Sequence, residues 1–297
     1  KRVTSSRISK GKKLLQRHGK LLKAIEKRYG VPGPVIVAIW GLETDFGVNR
    51  GNMSSIRSLA TLAYDCRRSA FFTNELNAAL SIVQHGYMKA SQLKGAWAGE
   101  IGQVQMLPGD IIENGRDGDG DGIVDLKGSS PDALMSGASV LASLGWRPNE
   151  PWLQEITVPA TLDWSQTGLN HAKTVAQWNA LGVTSRDGTA PENLSARVVL
   201  PMGRNGPAFF AYHNFDVYFE WNQSFVYVLT AAYFATRLEG AQVYDAGNPT
   251  PPLSENEMKA LQQRLTDLGH DVGDVSGLGG VKVTGANNYT GTTRIEG

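Results

Sequence analysis

A run of alternating aspartates and glycines places three carboxylates at a spacing of two residues. Asp117, Asp119 and Asp121 match positions 1, 3 and 5 of an EF-hand calcium loop. Gly122 matches the sharp turn at position 6, and the main-chain carbonyl of Ile123 would be the ligand at position 7. Ca²⁺ is a hard cation that binds oxygen atoms, so this spacing predicts a calcium site. The alternative is a solvated acidic turn, because Asp-Gly repeats are also good turn formers.

The predicted calcium loop does not close at the usual place. An ordinary loop needs a glutamate at position 12, where this chain has Gly128. The next carboxylate with sufficient reach is Asp132, at the head of a predicted helix over 133–144. We therefore predict a lengthened loop that Asp132 closes around a structural Ca²⁺.

A second candidate for chemistry is Glu43, which follows a run of apolar residues that begins at Pro34. A helix that is apolar on all sides is buried, and Glu43 lies where this helix should end. Burial disfavours a charged carboxylate and raises its pKa, as a general acid working near neutral pH requires. The alternative is a carboxylate that accepts hydrogen bonds from backbone N–H groups at the helix end, and position alone favours neither.

Two amide side chains lie in a glycine-rich segment between Trp97 and Pro108. Gln103 and Gln105 carry both donors and acceptors, which suit the hydroxyl and N-acetyl groups of sugars. A structural turn before a helix is an equally good interpretation of this segment.

A third segment, over residues 209–227, is rich in aromatic and amide side chains and includes Trp221, Asn222 and Tyr227. Aromatic faces can stack on pyranose rings, while Asn and Tyr can bond to the ring substituents. The alternative is a helix that packs its aromatic residues into the core, and we prefer this alternative for Phe215 and Tyr218.

The elements that must position these residues are mostly helical. We predict that residues 1–239 form one domain. Residues 240–252 are expected to form a linker rich in Gly and Pro, and residues 253–280 a small helical unit. Within that unit, Ser254 and Glu257 form a capping box, and we expect Met258, Leu261, Leu265 and Leu268 to form the buried stripe of the helix that follows. Residues 281–297 contain few large apolar residues and read as a disordered or artificially added tail.

The charge of the chain is unevenly distributed. Residues 1–28 carry eleven Lys and Arg but one acid, Glu26, and their apolar residues follow a helical period. We interpret this segment as a docked helix with a solvated basic face, while contact with nucleic acid or a membrane surface is the alternative. The single cysteine, Cys66, excludes an intrachain disulfide.

Taken together, these motifs resemble the lytic murein transglycosylase B family, glycoside hydrolase family 103, from about Lys1 to Leu238. The segment 36–47 resembles the catalytic-glutamate segment of that family, 97–108 its Gly-Gln-Pro segment, and 117–125 its calcium loop. Residues 221–227 resemble its Tyr-Asn-x-Ser stretch, with Trp221 in place of the usual tyrosine. The chain from 253 to 280 resembles the front half of a peptidoglycan-binding module, and the matched positions are Leu261-Gln262, Leu265, Leu268-Gly269, Gly273 and Ser276-Gly277.

The resemblance implies a mainly α (α+β) fold: a lysozyme-like core with an EF-hand-like calcium loop and a small helical C-terminal segment. It implies that Glu43 is the single catalytic acid/base, with Gln103, Gln105, Trp221, Asn222 and Tyr227 lining the sugar subsites. It also implies that an N-terminal part of the family's domain is missing. We expect Ca²⁺ and no organic cofactor.

The expected activity is cleavage of the β-1,4 bond between N-acetylmuramic acid and N-acetylglucosamine, with formation of 1,6-anhydro ends. The alternatives are a hydrolytic muramidase that uses Asp45 or Glu100 with water, and a non-catalytic calcium-dependent wall-binding protein. We expect a monomer in the periplasm of a Gram-negative bacterium, either soluble or anchored through the missing portion. Its partners would be peptidoglycan strands and other cell-wall enzymes, and no nucleic acid.

Overall fold

The structure is a computed structural model that describes residues 2–270 and residue 272. The last matched positions of the predicted peptidoglycan-binding module, Gly273 and Ser276-Gly277, lie outside the described residues. The predicted tail, 281–297, also lies outside them.

The chain forms two compact units. Of the described residues, 2–149 and 230–241 belong to the first unit, and 150–229, 242–270 and residue 272 belong to the second. The boundary between residues 149 and 150 lies inside the predicted domain over 1–239. The predicted boundaries of the domain and of the linker stay predictions.

The first unit is helical apart from one short strand pair. The pair is antiparallel and joins Met53 to Gly95 and Ser54 to Lys94. The elements of this unit are, in chain order, α1 (Ser5–Arg17), α2 (Gly19–Tyr29), α3 (Gly33–Thr44), β1 (Met53–Ser54), α4 (Ser55–Tyr64), α5 (Ser69–Gln84), β2 (Lys94–Gly95), α6 (Pro108–Asn114) and α7 (Ser130–Ser143).

Helix α3 is the buried centre of the first unit. Its residues from Val35 to Trp40 are at most 2% exposed, as expected for a helix that is apolar on all sides. Pro34 lies in the first turn, where its missing N–H costs nothing. The helix ends at Thr44, one residue after Glu43, and the predicted helix is confirmed.

The basic N-terminal segment forms two helices, which meet at His18. Leu22 and Ile25 of α2 are buried, so the docked-helix interpretation is confirmed for this half. Gly11 of α1 packs closely against Leu238, because a Cβ at this glycine would lie 2.6 Å from Leu238 Cδ2.

The second unit is built on a five-stranded antiparallel sheet. Its elements are, in chain order, β3 (Leu153–Thr157), a 3₁₀ turn (Trp164–Gln166), β4 (Ala172–Thr174), α8 (Val175–Ala180), β5 (Thr184–Ser185), β6 (Ser195–Val199), β7 (Ala208–Ala211), α9 (His213–Trp221), α10 (Phe225–Glu239) and α11 (Glu255–Asp267). The strands of the sheet lie in the order β4-β6-β7-β3-β5. Helix α10 begins in this unit, and its residues from 230 onward belong to the first unit.

Most of the aromatic residues of segment 209–227 belong to the core of the second unit. Phe210, Tyr212, Phe215 and Tyr218 are fully buried, which confirms the core interpretation for Phe215 and Tyr218. Tyr212 nonetheless donates a hydrogen bond of 2.7 Å from its hydroxyl to Gln154 Oε1, so that its polar end is satisfied.

Helix α11 begins at the predicted capping box, in which Ser254 accepts from the Glu257 N–H and the Glu257 carboxylate accepts from the Ser254 N–H. The predicted buried stripe of this helix is wrong, because Met258, Leu261 and Leu268 are exposed. Among the described helices, none combines the length and apolar character that crossing a membrane would need.

Candidate active site

Glu43 occupies the last turn of α3 and is half-buried. The helix ends because the next residues leave the right-handed helical region: Asp45 has φ 52° and Phe46 has φ 62°. Such backbone is unfavourable for residues other than glycine and is concentrated at functional sites. The carboxyl group of Glu43 therefore lies at an abrupt and well-defined helix end, as its predicted role requires.

Gln103 fixes the last two turns of α3 from inside the unit. Its Oε1 accepts a hydrogen bond of 3.0 Å from the indole Nε1 of Trp40 and another of 3.0 Å from Ser130 Oγ. Its Nε2 donates to the carbonyl of Lys127 at 3.1 Å, and its own carbonyl accepts from Thr44 Oγ1 at 2.6 Å.

The prediction that Gln103 binds substrate is therefore corrected. The residue is 3% exposed and its amide oxygen and nitrogen both bond to protein atoms, which leaves no face for a sugar. The position of the Gln103 side chain also excludes any residue but glycine at position 47, because a Cβ at Gly47 would lie 2.4 Å from Gln103 Oε1. Gln103 supports the site instead of contacting the ligand.

Gln105 lies two residues further along, in a tight hairpin whose arms are joined by reciprocal backbone hydrogen bonds between Ile101 and Met106. Its backbone has φ 54°, and its Nε2 donates to the Gly102 carbonyl at 2.7 Å. The side chain is half-buried, so its predicted contact with a sugar stays a prediction.

The other three predicted sugar contacts belong to the second unit. Trp221 ends α9, Asn222 caps this helix, and Tyr227 lies in the first turn of α10; all three are half-buried. Asn222 Oδ1 accepts from the Ser224 N–H at 3.0 Å, which fixes the connection between the two helices. That these residues form one site with Glu43 stays a prediction.

Asp45 is directed toward two basic side chains of α1. Its carboxylate lies 3.4 Å from Arg7 Nη2 and 3.4 Å from Lys10 Nζ. A carboxylate held by two cations is poorly suited to act as a base toward water. Neither Arg7 nor Lys10 was predicted as a functional residue, although both lie in the basic segment that the charge distribution singled out.

The acidic loop brings Asp117, Asp119 and Asp121 together, with one carboxylate oxygen of each within 4.8 Å of the others. This spacing fits oxygen ligands around a single Ca²⁺. Backbone N–H groups of Gly122 and Gly120 donate to the Asp117 carboxylate at 2.8 and 2.6 Å, and these bonds lower the pKa of Asp117. The three aspartates therefore form a loop that is ordered and suited to bind a cation.

The two other predicted ligands are arranged differently. The Ile123 N–H donates to Asp121 Oδ1 at 2.8 Å, and the ligand role of the Ile123 carbonyl stays a prediction. Asp132 is 1% exposed and accepts from the N–H groups of Gly118 at 2.8 Å and Asp125 at 2.7 Å. Asp132 thus closes the lengthened loop through hydrogen bonds, and its direct ligation of an ion stays a prediction.

Comparison with known proteins identifies relatives for most of the chain. A family model described as "Transglycosylase SLT domain" matches residues 1–236. Membrane-bound lytic murein transglycosylase B of Escherichia coli (strain K12) is 25% identical over 230 residues, which are 76% of this chain and 62% of that protein. The chain therefore spans less than two thirds of the length of this curated relative.

Two solved structures extend the comparison. SltB3 from Pseudomonas aeruginosa, in complex with NAG-NAM-pentapeptide, is 38% identical with a TM-score of 0.83, over 92% of this chain and 75% of that one. The Escherichia coli lytic transglycosylase Slt35 in complex with calcium is 25% identical with a TM-score of 0.70, over 80% and 75%. These similarities confirm the predicted fold class, mainly α (α+β) with a lysozyme-like core.

Proposed function

Because this chain belongs to the Transglycosylase SLT domain family, we propose that it is a lytic transglycosylase of peptidoglycan, a lyase that acts on a polysaccharide. It cleaves the β-1,4 bond between N-acetylmuramic acid and N-acetylglucosamine and leaves 1,6-anhydro ends. The observation that carries this proposal is the similarity to SltB3, which was also solved in complex with NAG-anhNAM-pentapeptide.

Glu43 serves as the acid and then as the base. As an acid it protonates the glycosidic oxygen while the C1–O4 bond breaks, so that the N-acetylglucosamine side leaves as an alcohol. As a base it then removes the proton from the C6 hydroxyl of the muramoyl residue, and O6 forms the new bond to C1. Glu43 regains its proton and no water is consumed.

A single carboxyl group is enough for this sequence of steps, whereas hydrolytic glycosidases use a pair. The ion pairs of Asp45 with Arg7 and Lys10 support this choice, since they withdraw the nearest carboxylate in the sequence from catalysis. The hydrolytic alternative would have to rely on Glu100, which is half-buried.

The sugar contacts are assigned to Gln105, Trp221, Asn222 and Tyr227. Gln105 and Asn222 would bond to hydroxyl and N-acetyl groups through their amides, and Tyr227 through its hydroxyl. Trp221 replaces the usual tyrosine of the family, so it offers a larger aromatic face and an N–H donor instead of a hydroxyl.

The acidic loop has a structural role in this proposal. Asp117, Asp119 and Asp121 would hold a Ca²⁺, together with the Ile123 carbonyl and Asp132. When bound, the ion neutralises the clustered carboxylates and takes no part in bond cleavage. The calcium complex of Slt35 supports this assignment.

The remaining expectations concern the context of the enzyme. We propose that it acts as a monomer in the periplasm of a Gram-negative bacterium, on peptidoglycan strands and beside other cell-wall enzymes. Residues 240–252 would act as a linker and 253–280 as part of a peptidoglycan-binding module.

The test is the mass of the products released from purified sacculi. We expect products that end in 1,6-anhydro-N-acetylmuramic acid, each lighter by one water than the hydrolytic product. Reducing ends in place of anhydro ends would instead identify a hydrolytic muramidase. Binding to sacculi without any released product would identify a non-catalytic wall-binding protein.

A further inference from the structure

The chain leaves helix α3 through three successive residues with left-handed backbone. Asp45, Phe46 and Gly47 have φ values of 52°, 62° and 81°. Glycine adopts this conformation readily and aspartate does so occasionally, but phenylalanine does so only when the surroundings hold it there. The segment begins two residues after Glu43, so whatever stabilises it also fixes the end of the helix that carries Glu43.

One side of this segment is held by Lys10. The Lys10 Nζ donates to the main-chain carbonyl of Asp45 at 3.1 Å and lies 3.4 Å from Asp45 Oδ2. The same ammonium group lies 4.9 Å from the centre of the Phe46 ring, within the range of a cation–π contact. Lys10 therefore contacts both Asp45 and Phe46, whereas the contact of Arg7 with this segment is to the Asp45 carboxylate.

The other side of the segment is held by the core. The Phe46 ring packs edge-to-face against Trp40 and Phe234, with distances between ring centres of 5.7 and 6.4 Å. The backbone N–H of Phe46 donates to the Trp40 carbonyl at 3.1 Å. Gly41 leaves room for both rings, since a Cβ there would lie 2.8 Å from Phe46 Cε1. Phe46 is thus fixed between the core and Lys10.

We propose that Lys10 is a positioning residue for Glu43. Lys10 acts through the main chain and side chain of Asp45 and through the ring of Phe46, and it keeps the end of α3 in the geometry that places the Glu43 carboxyl. It does not touch the reacting atoms. The inference rests on the proposed function, because it assigns Lys10 to the same catalytic step.

A different role for Lys10 would be direct binding of an anionic group. Lys10 lines a cavity of about 530 Å³ together with Arg2, Arg7, Leu42 and Asp45, among others. A carboxylate of the substrate could enter such a cavity. A positioning role predicts that the loss of Lys10 lowers kcat, by an amount that depends on the residue at position 45. Anion binding predicts a change in KM, or a loss that does not depend on position 45.

The test is a double-mutant cycle between Lys10→Met and Asp45→Gly, with kinetics on a soluble glycan chain released from peptidoglycan. In the parent background we expect Lys10→Met to lower kcat by roughly tenfold with little change in KM, since a misplacement of about 1 Å can cost 10²-fold. In the Asp45→Gly background the same change should lower kcat much less, because glycine adopts the left-handed conformation without support. Lys13→Met, an exposed change on the same helix, is the matched control and should leave kcat unchanged.

An equal loss from Lys10→Met in both backgrounds, or a loss confined to KM, would overturn the positioning role and favour anion binding. Hydrogen exchange of the Phe46 amide provides a readout that does not depend on activity. The amide should exchange faster in Lys10→Met than in Lys13→Met, and equal rates would also overturn the proposal. If the parent released no anhydro products, the proposed function would fail, while the exchange rates would still decide whether Lys10 holds this segment.

Discussion

The indole N–H of Trp40 donates a hydrogen bond of 3.0 Å to the side-chain oxygen of Gln103, inside the first unit. Trp40 lies one helical turn before Glu43, and Gln103 also bonds to Ser130 and Lys127, which lie between Asp125 and the closing residue Asp132. One amide therefore connects the helix of the proposed catalytic acid with the segment that closes the loop. A change in this segment that breaks the bonds of Gln103 would therefore also remove a contact to the helix of Glu43.

We predict that Gln103→Met destabilises the fold strongly. Methionine fills a similar volume but cannot pair with Trp40 Nε1, Ser130 Oγ or the Lys127 carbonyl. A buried polar group left without a partner costs about 1–3 kcal/mol, so the loss of these bonds should exceed the effect of an ordinary substitution. Urea unfolding measures this difference. Gln16→Leu, at an exposed position of α1, is the control and should change the free energy of unfolding little.

We predict that Glu43→Gln abolishes the release of anhydro products and leaves the fold intact. Glutamine preserves the shape of the side chain but can neither protonate the leaving oxygen nor remove the proton from the C6 hydroxyl. A general acid or base contributes about 10²–10⁴-fold, and a residue that serves in both steps should contribute more than one such factor. The readouts are sacculus lysis and the melting temperature. Lysis at the parent rate would remove Glu43 from its proposed role.

The sequence was sufficient to predict the features that depend on local pattern. The end of α3 at Thr44, the capping box of α11 and the clustering of Asp117, Asp119 and Asp121 follow from apolar runs, caps and spacing. These features require few distant contacts, so residue order alone carries most of the information.

The features that the sequence could not predict depend on distant contacts. Gln103 looked available to a sugar because amides suit sugars, but its partners come from segments 24 to 63 residues away. A signal was present in its neighbours, since Ile101, Val104 and Met106 are all apolar and prove to be buried. The left-handed backbone of Asp45 was equally unpredictable, because it depends on Lys10 and on the core around Phe46.

Glu75 provides a prediction about pH. Burial raises the pKa of its carboxyl, and the nearby Asp110 and Glu113 raise it further, although the Gly109 N–H donates to it at 2.8 Å. A carboxyl group whose pKa is higher in the folded protein favours folding while it is protonated, and this advantage is lost as the pH rises through the folded pKa. We therefore predict that Glu75→Gln raises the melting temperature at pH 7, because glutamine still accepts from Gly109 and carries no charge.

The difference between Glu75→Gln and the parent should shrink as the pH falls below the ordinary pKa of glutamate, where both side chains are neutral. Melting curves from neutral to acid pH measure it. Glu220→Gln, at an exposed carboxyl on α9, is the matched control and should show no comparable difference. A constant difference at all pH values would contradict the electrostatic explanation.

We predict that calcium raises the melting temperature and that a chelator lowers it. The three clustered carboxylates of Asp117, Asp119 and Asp121 repel one another when no cation neutralises them. A ligand that binds only the folded state stabilises it by about 2.7 kcal/mol at one hundred times Kd. Asp121→Asn should reduce the response to calcium, since it removes one charged ligand. Identical melting curves with calcium and with chelator would reject the site.

The role of Asp132 can be separated into two parts, hydrogen bonding and ligation. Its carboxylate accepts from the N–H groups of Gly118 and Asp125, and it lies in the first turn of α7, where the helix dipole favours a negative charge. We predict that Asp132→Ala lowers the free energy of unfolding even with chelator present, because hydrogen bonds to a charged group contribute about 1.5–3 kcal/mol each. Asp132→Asn, which keeps one acceptor oxygen, should lose less.

Calorimetry with calcium then tests ligation itself. If Asp132 also binds the ion, Asp132→Ala should weaken calcium binding strongly. The loss of calcium affinity in Asp132→Ala should also be larger than the loss in Asp132→Asn. Gly128, at the usual closing position, has no side chain that could take over this role. Calcium binding by Asp132→Ala as tight as in the parent would show that Asp132 only holds the loop. Asp125 would then be the favoured remaining ligand, through a bridging water. It is exposed and follows the three clustered aspartates in the sequence.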